Sequence, residues 1–235
     1  MRTTTTKRTF LKGMRDGSPF LIVIAPFSML FGVVGTEAGL NLAQVMGFSV
    51  LVIAGSAQFT AIQLMTENTP VLIVLASALA INLRMAMYSA SMISHFGPLP
   101  LRKRVLVSYL LVDQSYASAM VEYENHPRMT LAHKYAYFLG VMTIVAPFWY
   151  AFTYVGAVLG TSIPPEYALD FAVPITFLAL IMPALRTLAH VAAAVVSVVL
   201  ALTLSWIPYN LWLLVAAFCA MVTGAQVELW LERRR

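Results

Sequence analysis

The sequence predicts an all-α, polytopic integral membrane protein with six to eight transmembrane helices, some of which could be broken or re-entrant. Charged residues make up 11% of the chain and hydrophobic residues 60%, whereas soluble domains carry about 25% charged residues. The mean hydropathy is +0.80. Apolar residues fall in successive blocks of roughly 18–25 residues, the length that a helix needs to cross the hydrocarbon core. Short alternating strands of the outer-membrane barrel type are absent from the sequence.

The apolar blocks give eight expected segments. They are residues 18–36, 43–65, 71–93, 105–121, 135–159, 169–185, 188–206 and 209–229. We expect one transmembrane domain over residues 18–229, between a basic tail at 1–17 and a basic terminus at 230–235. Because basic residues stay on the cytoplasmic side, both termini are expected in the cytoplasm and the chain in the inner (cytoplasmic) membrane. The same rule accounts for the net charge of +5 without a nucleic-acid partner.

The basic run at residues 102–104 leaves two topologies open. If all eight segments cross the membrane, this run lies outside, against the distribution of the other basic residues. If segments 43–65 and 105–121 are both re-entrant or interfacial, the run lies inside and the C-terminus remains cytoplasmic. The two arrangements differ only between about residues 66 and 104.

Asn82 and Arg84 lie near the middle of the third apolar segment. An arginine at that depth costs roughly 2.5–3.5 kcal/mol on insertion scales, and such a residue normally faces a bundle interior or a water-filled cavity and has a partner. Arg84 is therefore either part of a structural ion pair, a side chain that reaches the interface, or a substrate or ion site.

Two other segments carry polar groups at their centres. Gly55, Ser56 and Gln58 interrupt the second segment, either as a packing notch in which Gln58 bonds to a neighbouring helix or as an unwound, re-entrant turn. Asp113 is the one acidic residue deep within an apolar segment, and Tyr116 follows it by one helical turn.

These polar groups suggest a site for a zwitterion. A planar guanidinium suits a carboxylate bidentately, so Arg84 could pair with Asp113 when empty and hold a substrate carboxylate when occupied. Asp113 would then meet the ammonium, and its protonation offers a step that couples transport to a proton gradient. The candidate substrate-binding residues are Gly55, Ser56, Gln58, Asn82, Arg84 and Tyr116, with Asp113 as the candidate for proton coupling.

The sequence offers little for catalysis, cofactors or metals. The four histidines are dispersed, without metal-ligand spacing. No nucleotide-binding loop, nucleophile elbow or paired-histidine zinc motif is present. The single cysteine, Cys219, excludes an internal disulfide. We therefore expect neither an enzyme nor a metal or cofactor site.

Several stretches together resemble the AzlC family. They are a proline-containing first segment ending FGVVGTEAG, the AGSAQF stretch at 54–59, NLR followed by Tyr88 and Ser89, Asp113 within its segment, and IPPEYALDFAVP at 163–174. The resemblance implies export of branched-chain amino acids, with methionine as a further candidate substrate, together with a small AzlD-like membrane partner. The chain departs from the family pattern at Met85, where a histidine is common, and at Gln114, where a second acid is common.

Two other classes of function remain as alternatives. A membrane scaffold or accessory subunit would tolerate apolar replacements of both Arg84 and Asp113. An intramembrane enzyme would depend on Asp113 and the scattered histidines for acid–base chemistry. Rings of like charge, which would suggest a channel filter, are absent from the sequence.

Overall fold

The computed structural model describes residues 5–160, 185, 187–207 and 211–233, and helices are the regular elements throughout these ranges. They are α1 (Thr6–Gly17), a 3-10 turn (Ser18–Phe20), α2 (Leu21–Glu37), α3 (Leu42–Leu51), α4 (Gly55–Thr66), α5 (Val71–Phe96), α6 (Leu101–Tyr109), α7 (Asp113–Asn125), α8 (Leu131–Gly160), α9 (Leu188–Thr203) and α10 (Leu211–Glu232). The all-α prediction is thus confirmed for the described residues. The expected segment 169–185 and the stretch 163–174 lie largely or wholly outside them.

Four of the described helical stretches are long and apolar enough to cross a membrane. They are Thr6–Glu37, Val71–Phe96, Leu131–Gly160 and Leu211–Glu232. Leu42–Leu51 and Leu188–Thr203 are apolar but shorter. The count of six to eight crossings stays a prediction.

The chain divides into two compact units, residues 1–62 with 81–164 and residues 63–80 with 165–235. In the second unit α9 and α10 pack along each other, and Gly224 of α10 faces the Cβ of Ala193 in α9. The predicted site residues all belong to the first unit.

The first unit is built on close packing of α1 and α2 against α8. Gly13 of α1 lies against the carbonyl of Tyr137, and Gly32 of α2 lies against the carbonyl of Thr153, so that a Cβ at either glycine would overlap backbone. Small residues permit such approach between helices where there is little hydrophobic drive in lipid. The contact residues follow the same order on both sides, since Gly13 meets Tyr137 and the later Gly32 meets the later Thr153. α8 therefore runs in the same direction as α1 and α2. The basic tail is therefore helical from Thr6 and is packed on the domain.

The segment predicted at 43–65 is folded back on itself. α3 ends at Leu51, residues 52–54 are not helical, and α4 starts at Gly55. Gly35, near the end of α2, faces both Val45 in the first turn of α3 and Ile62 in the second half of α4. The two helices therefore run antiparallel, and we call this pair hairpin 1.

Gln58 closes the tip of hairpin 1. Its Nε2 donates to the carbonyl oxygens of Phe48 at 3.1 Å and Val52 at 2.6 Å. A straight helix would place residues 48 and 58 about 15 Å apart along its axis, so this bond requires the fold-back. Val52 has extended dihedrals, φ −134° and ψ 92°, which mark the break.

The segment predicted at 105–121 is likewise two helices, α6 and α7, which we call hairpin 2. α7 runs in the same direction as α5, because Asp113 at its start pairs with Arg84 and Tyr123 near its end contacts Phe96 at the end of α5. α6 begins five residues after α5 ends and leads back to a break at residues 111–112, so it runs in the opposite direction.

The tips of the two hairpins meet. The Tyr109 hydroxyl, at the end of α6, donates to the Val50 carbonyl at the end of α3 at 2.6 Å, and lies 2.8 Å from the Tyr150 hydroxyl of α8. Hairpin 1 opens toward the C-terminal end of α2, and hairpin 2 opens toward the N-terminal end of α8. Because α2 and α8 are parallel, the hairpins enter the first unit from opposite ends.

Candidate functional site

Arg84 lies at the junction of the two hairpin tips. Its Nη2 donates to the Ser56 hydroxyl of hairpin 1 at 2.9 Å, and its Nη1 lies 3.2 Å from Asp113 Oδ2 of hairpin 2. The side chains of Arg84 and Asp113 are 33% and 41% exposed, so the pair is reachable and not sealed in the core. The structure thus joins three of the predicted site residues around one guanidinium.

The positions of Ser56 and Asp113 follow from the breaks that precede them. Ser56 is the second residue of α4, and Asp113 is the first residue of α7. The last residue before α7, Val112, is extended with φ −130° and ψ 169°. The N-terminus of a helix carries unpaired N–H groups and a partial positive charge, which stabilises a carboxylate such as that of Asp113. The N-termini of α4 and α7 therefore both lie beside the Arg84 guanidinium.

Ser115 closes the tip of hairpin 2 as Gln58 closes that of hairpin 1. Its hydroxyl accepts from the Val112 N–H at 3.0 Å and lies 3.1 Å from the Leu110 carbonyl and 3.0 Å from the Val112 carbonyl. A serine bonding to local backbone in this way favours a turn over a continuous helix. The side chain fixes where α7 begins and so where Asp113 lies.

Several buried polar atoms of the predicted site have no hydrogen-bond partner. Across the described residues such atoms are Gln58 Oε1, Asn82 Oδ1, Arg84 Nε, Asp113 Oδ1 and Trp149 Nε1. Four of the five belong to predicted site residues. A buried polar atom without a partner costs about 1–3 kcal/mol, and each such group in a native protein calls for an explanation. A polar ligand held at Arg84 would supply partners for Arg84 Nε and Asp113 Oδ1.

Gln58 has a structural role. It is 1% exposed, and both donor contacts of its amide go to its own hairpin. The sequence left open a bond to a neighbouring helix or an unwound turn. The structure has the unwound turn, with Gln58 as the group that satisfies its carbonyls.

Gly55 is also explained by packing. A Cβ at this position would overlap the ring of Phe27 and lie 2.9 Å from Trp149 Cη2. Phe27 stacks edge-on against Phe59 with ring centroids 5.1 Å apart. These rings form an apolar wall immediately beside Ser56, and only glycine fits between the wall and the start of α4.

Tyr116 contributes its ring to the site and points its hydroxyl elsewhere. The ring stacks on Tyr88 at 4.2 Å with an interplanar angle of 11°, and the hydroxyl donates to Ser91 at 3.1 Å. Tyr88 lies close enough to interact with the Asp113 carboxyl. Tyr88 was missed as a site residue, although it lies one helical turn after Arg84 and so on the same face of α5.

Tyr109 and Trp149 were also missed. Tyr109 joins the two tips, and Trp149 carries one of the unpartnered buried atoms. Neither residue stands out in the sequence from the other aromatic residues of apolar segments. In the described ranges, no group of three histidine, cysteine, aspartate or glutamate residues is placed to hold a metal ion.

Comparison with known proteins places the chain in a family. The model of the AzlC protein family matches residues 19–163. The chain is 24% identical over 230 residues to the inner membrane protein YgaZ of Escherichia coli (strain K12), covering 94% of this chain and 92% of that protein.

Two further membrane proteins are similar to the chain. A membrane protein of Archaeoglobus fulgidus is 27% identical over 190 residues, which covers 79% of this chain and 80% of that protein. A membrane protein of Helicobacter pylori (strain 26695) is 29% identical over 112 residues, covering 46% of this chain and 49% of that protein. No solved structure matches the chain significantly. The family match covers more than half of the chain and includes both hairpins and Arg84, and the chain belongs to the AzlC protein family.

Proposed function

We propose that this membrane protein is a secondary transporter that exports branched-chain and other hydrophobic amino acids across the cytoplasmic membrane, coupled to the proton gradient. The observation that carries the proposal is the position of Arg84, whose guanidinium bridges the start of α4 and the start of α7. Broken helices whose N-termini point at anionic substrate groups are a recurrent device of secondary transporters.

The substrate carboxylate takes the place of Asp113 at Arg84. A carboxylate there gains a bidentate partner in the guanidinium and the positive ends of two helices. The unpartnered Arg84 Nε offers a further donor. When one carboxylate replaces the other, Arg84 stays paired with a negative charge at every stage. This limits the free-energy cost of holding an arginine deep within the membrane.

The substrate ammonium lies against the freed Asp113 carboxylate. The unpartnered Asn82 Oδ1, two residues before Arg84 on α5, is a further acceptor that we assign to the ammonium. Protonation of Asp113 weakens its hold on both Arg84 and the ammonium, and this is the step that we assign to proton coupling.

The charge distribution of the first unit supports a cytoplasmic N-terminus. The starts of α1 and α8, the end of α5 and the open end of hairpin 2 lie at one end of the first unit, and Lys103 of α6 lies over the ring of Tyr135 of α8 at 5.1 Å. This end gathers the basic residues of the tail with those of 102–104, as the positive-inside rule requires of a cytoplasmic face. Both hairpins are then re-entrant, and the conflict at 102–104 disappears.

We further propose that the working transporter includes a small AzlD-like membrane subunit, and that it uses no cofactor and no enzymatic step. The alternative is a scaffold or accessory subunit without a site of its own, and it makes a different prediction for Arg84. A scaffold keeps its function when Arg84 and Asp113 are both replaced by apolar residues.

The test is efflux of radiolabelled leucine or valine from proteoliposomes, with and without a co-expressed small subunit and an imposed pH gradient. Arg84→Ala removes the carboxylate partner and leaves Asp113 unpaired. Loss of one partner of a hydrogen-bonded charge pair costs about 2–5 kcal/mol, so efflux should fall roughly thirtyfold or more. Arg128→Ala, in the exposed loop between α7 and α8, is the matched control and should transport normally. Absence of flux from the wild-type protein under every condition would overturn the proposal.

A further inference from the structure

A second charge cluster lies at the other end of α7, away from Asp113. Glu122 pairs with Lys12 of α1, and its Oε1 lies 3.4 Å from His126 Nδ1. The Glu122 side chain is only 7% exposed, whereas that of Lys12 is 44% exposed. A carboxylate so deeply buried needs a charged partner in place. Lys12 is that partner on α1.

Lys12 contacts groups on α1, α7 and α8. It also lies 3.5 Å from Asp16 of its own helix and 5.4 Å from the centre of the Tyr137 ring of α8. Tyr137 in turn donates to Asp16 Oδ2 at 2.9 Å. The lysine therefore has several alternative partners when it leaves Glu122, which lowers the cost of opening the pair.

A cleft of about 430 Å³ separates α1 from α7 at this position. Its α7 side is formed by Ala117, Ser118, Val121, Glu122 and Asn125. Residues 113, 117 and 121 are spaced by four and lie on one stripe of the helix. The stripe that lines the cleft therefore continues, one turn further, to Asp113 and the Arg84 site.

We propose that the Lys12–Glu122 pair is the inner gate of the transporter, and that the cleft between α1 and α7 is the route by which a substrate from the cytoplasm reaches Arg84. This inference rests on the proposed function. α7 has an acidic residue at each end, one held by Arg84 and one held by Lys12. Opening of the gate moves the α7 leg of hairpin 2 away from α1 while α1 stays fixed to α8 by the glycine contacts.

Accessibility of the cleft tests the gate without reference to transport. In a Cys219→Ser background, Ser118→Cys reports the cleft, and the reagent is a membrane-impermeant maleimide applied to inside-out vesicles. Lys12→Ala should raise the labelling rate at least about fivefold, because the buried Glu122 carboxylate loses the charged partner that holds α7 to α1. Lys7→Ala, an exposed lysine on the same helix, is the matched control and should leave the rate unchanged. The charge exchange Lys12→Glu with Glu122→Lys should restore slow labelling.

Cross-linking gives the complementary result. Lys12→Cys with Glu122→Cys, in the Cys219→Ser background with Ser118 intact and joined by a reducible bis-methanethiosulfonate of suitable length, should stop leucine efflux, and reduction should restore it. An unchanged labelling rate in Lys12→Ala, or full efflux while the cross-link is in place, would overturn the gate. If the labelling pattern holds but the wild-type protein moves no amino acid, the proposed function fails and the gate between α1 and α7 stands.

Discussion

Hairpins 1 and 2 have the same backbone plan and different environments. In hairpin 1, residues of both helices are buried, including Val45, Gln58 and Ile62, and the break is closed by a neutral amide. In hairpin 2, α6 buries Val107 and otherwise presents half-exposed or exposed residues. Its charged residues pair with other helices at both ends of α7. The difference suggests that hairpin 1 is the fixed wall of the site and hairpin 2 the part that moves.

The largest effect is expected in a test of whether the two hairpins enter from opposite ends of the first unit. In a Cys219→Ser background, Glu67→Cys should react with an impermeant thiol reagent from outside the cell, and Lys103→Cys only from inside. The reason is that each hairpin returns to the side from which it entered. Eight full crossings would give the reverse result at both positions.

The second largest effect is expected in hairpin 1, at Gln58. Gln58→Leu removes the donor to the carbonyls of Phe48 and Val52 and leaves buried backbone unpaired, at a cost of about 1–3 kcal/mol. The midpoint of thermal unfolding in detergent should fall accordingly. Gln63→Leu, on the same helix but exposed and bonded to Glu67 at 3.3 Å, should have little effect. Equal shifts for the two variants would contradict the structural role of Gln58.

A smaller effect is expected at the charged tip of hairpin 2. Asp113→Asn keeps the shape of the side chain and removes its proton exchange. A gradient of one pH unit corresponds to about 1.4 kcal/mol for each proton moved, or about tenfold. Such a gradient should therefore change the rate of leucine efflux by the wild-type protein by up to that factor. The variant should respond to no gradient, while Glu124→Gln on the exposed side of α7 should respond as the wild type does. An unchanged pH dependence in Asp113→Asn would remove Asp113 from coupling.

The smallest effect is expected at the neutral tip of hairpin 1. Ser56→Ala removes one hydrogen bond from Arg84, worth about 0.5–1.5 kcal/mol, and leaves the ion pair with Asp113 in place. The half-saturating leucine concentration for efflux should rise about threefold, with Thr60→Ala on the same helix as the control. A loss as large as that of Arg84→Ala would mean that the fixed wall contributes more to binding than we infer.

The sequence predicted the chemical groups of the site better than its architecture. Arg84 and Asp113 stand out because charges within apolar segments are costly and need partners, and the structure pairs them. The length and hydropathy of a 23-residue apolar segment do not determine whether it crosses the membrane or folds back. The fold-back depends on the extended dihedrals of Val52 and Val112 and on side chains such as Ser115 that cap the break, and these act only once neighbouring helices are packed.

Contacts between distant segments were beyond sequence reasoning. Tyr88 could have been found from its spacing to Arg84. The bond from Tyr109 to Val50 and the pairing of Lys12 with Glu122 join residues 59 and 110 positions apart, and no local pattern marks either pair. Among the predicted site residues, the broken segments bring Ser56 and Asp113 to Arg84.

Equilibrium binding of radiolabelled leucine to the purified wild-type, Arg84→Ala and Arg128→Ala proteins tests most directly whether Arg84 between the two tips holds the substrate carboxylate. Unlabelled leucine should compete, whereas leucinol, which lacks the carboxylate, should compete poorly in the wild-type protein. We predict saturable binding in the wild-type and Arg128→Ala proteins and its loss in Arg84→Ala. Leucine binding that is retained in a folded Arg84→Ala protein, or leucinol that competes as well as leucine, would contradict the account.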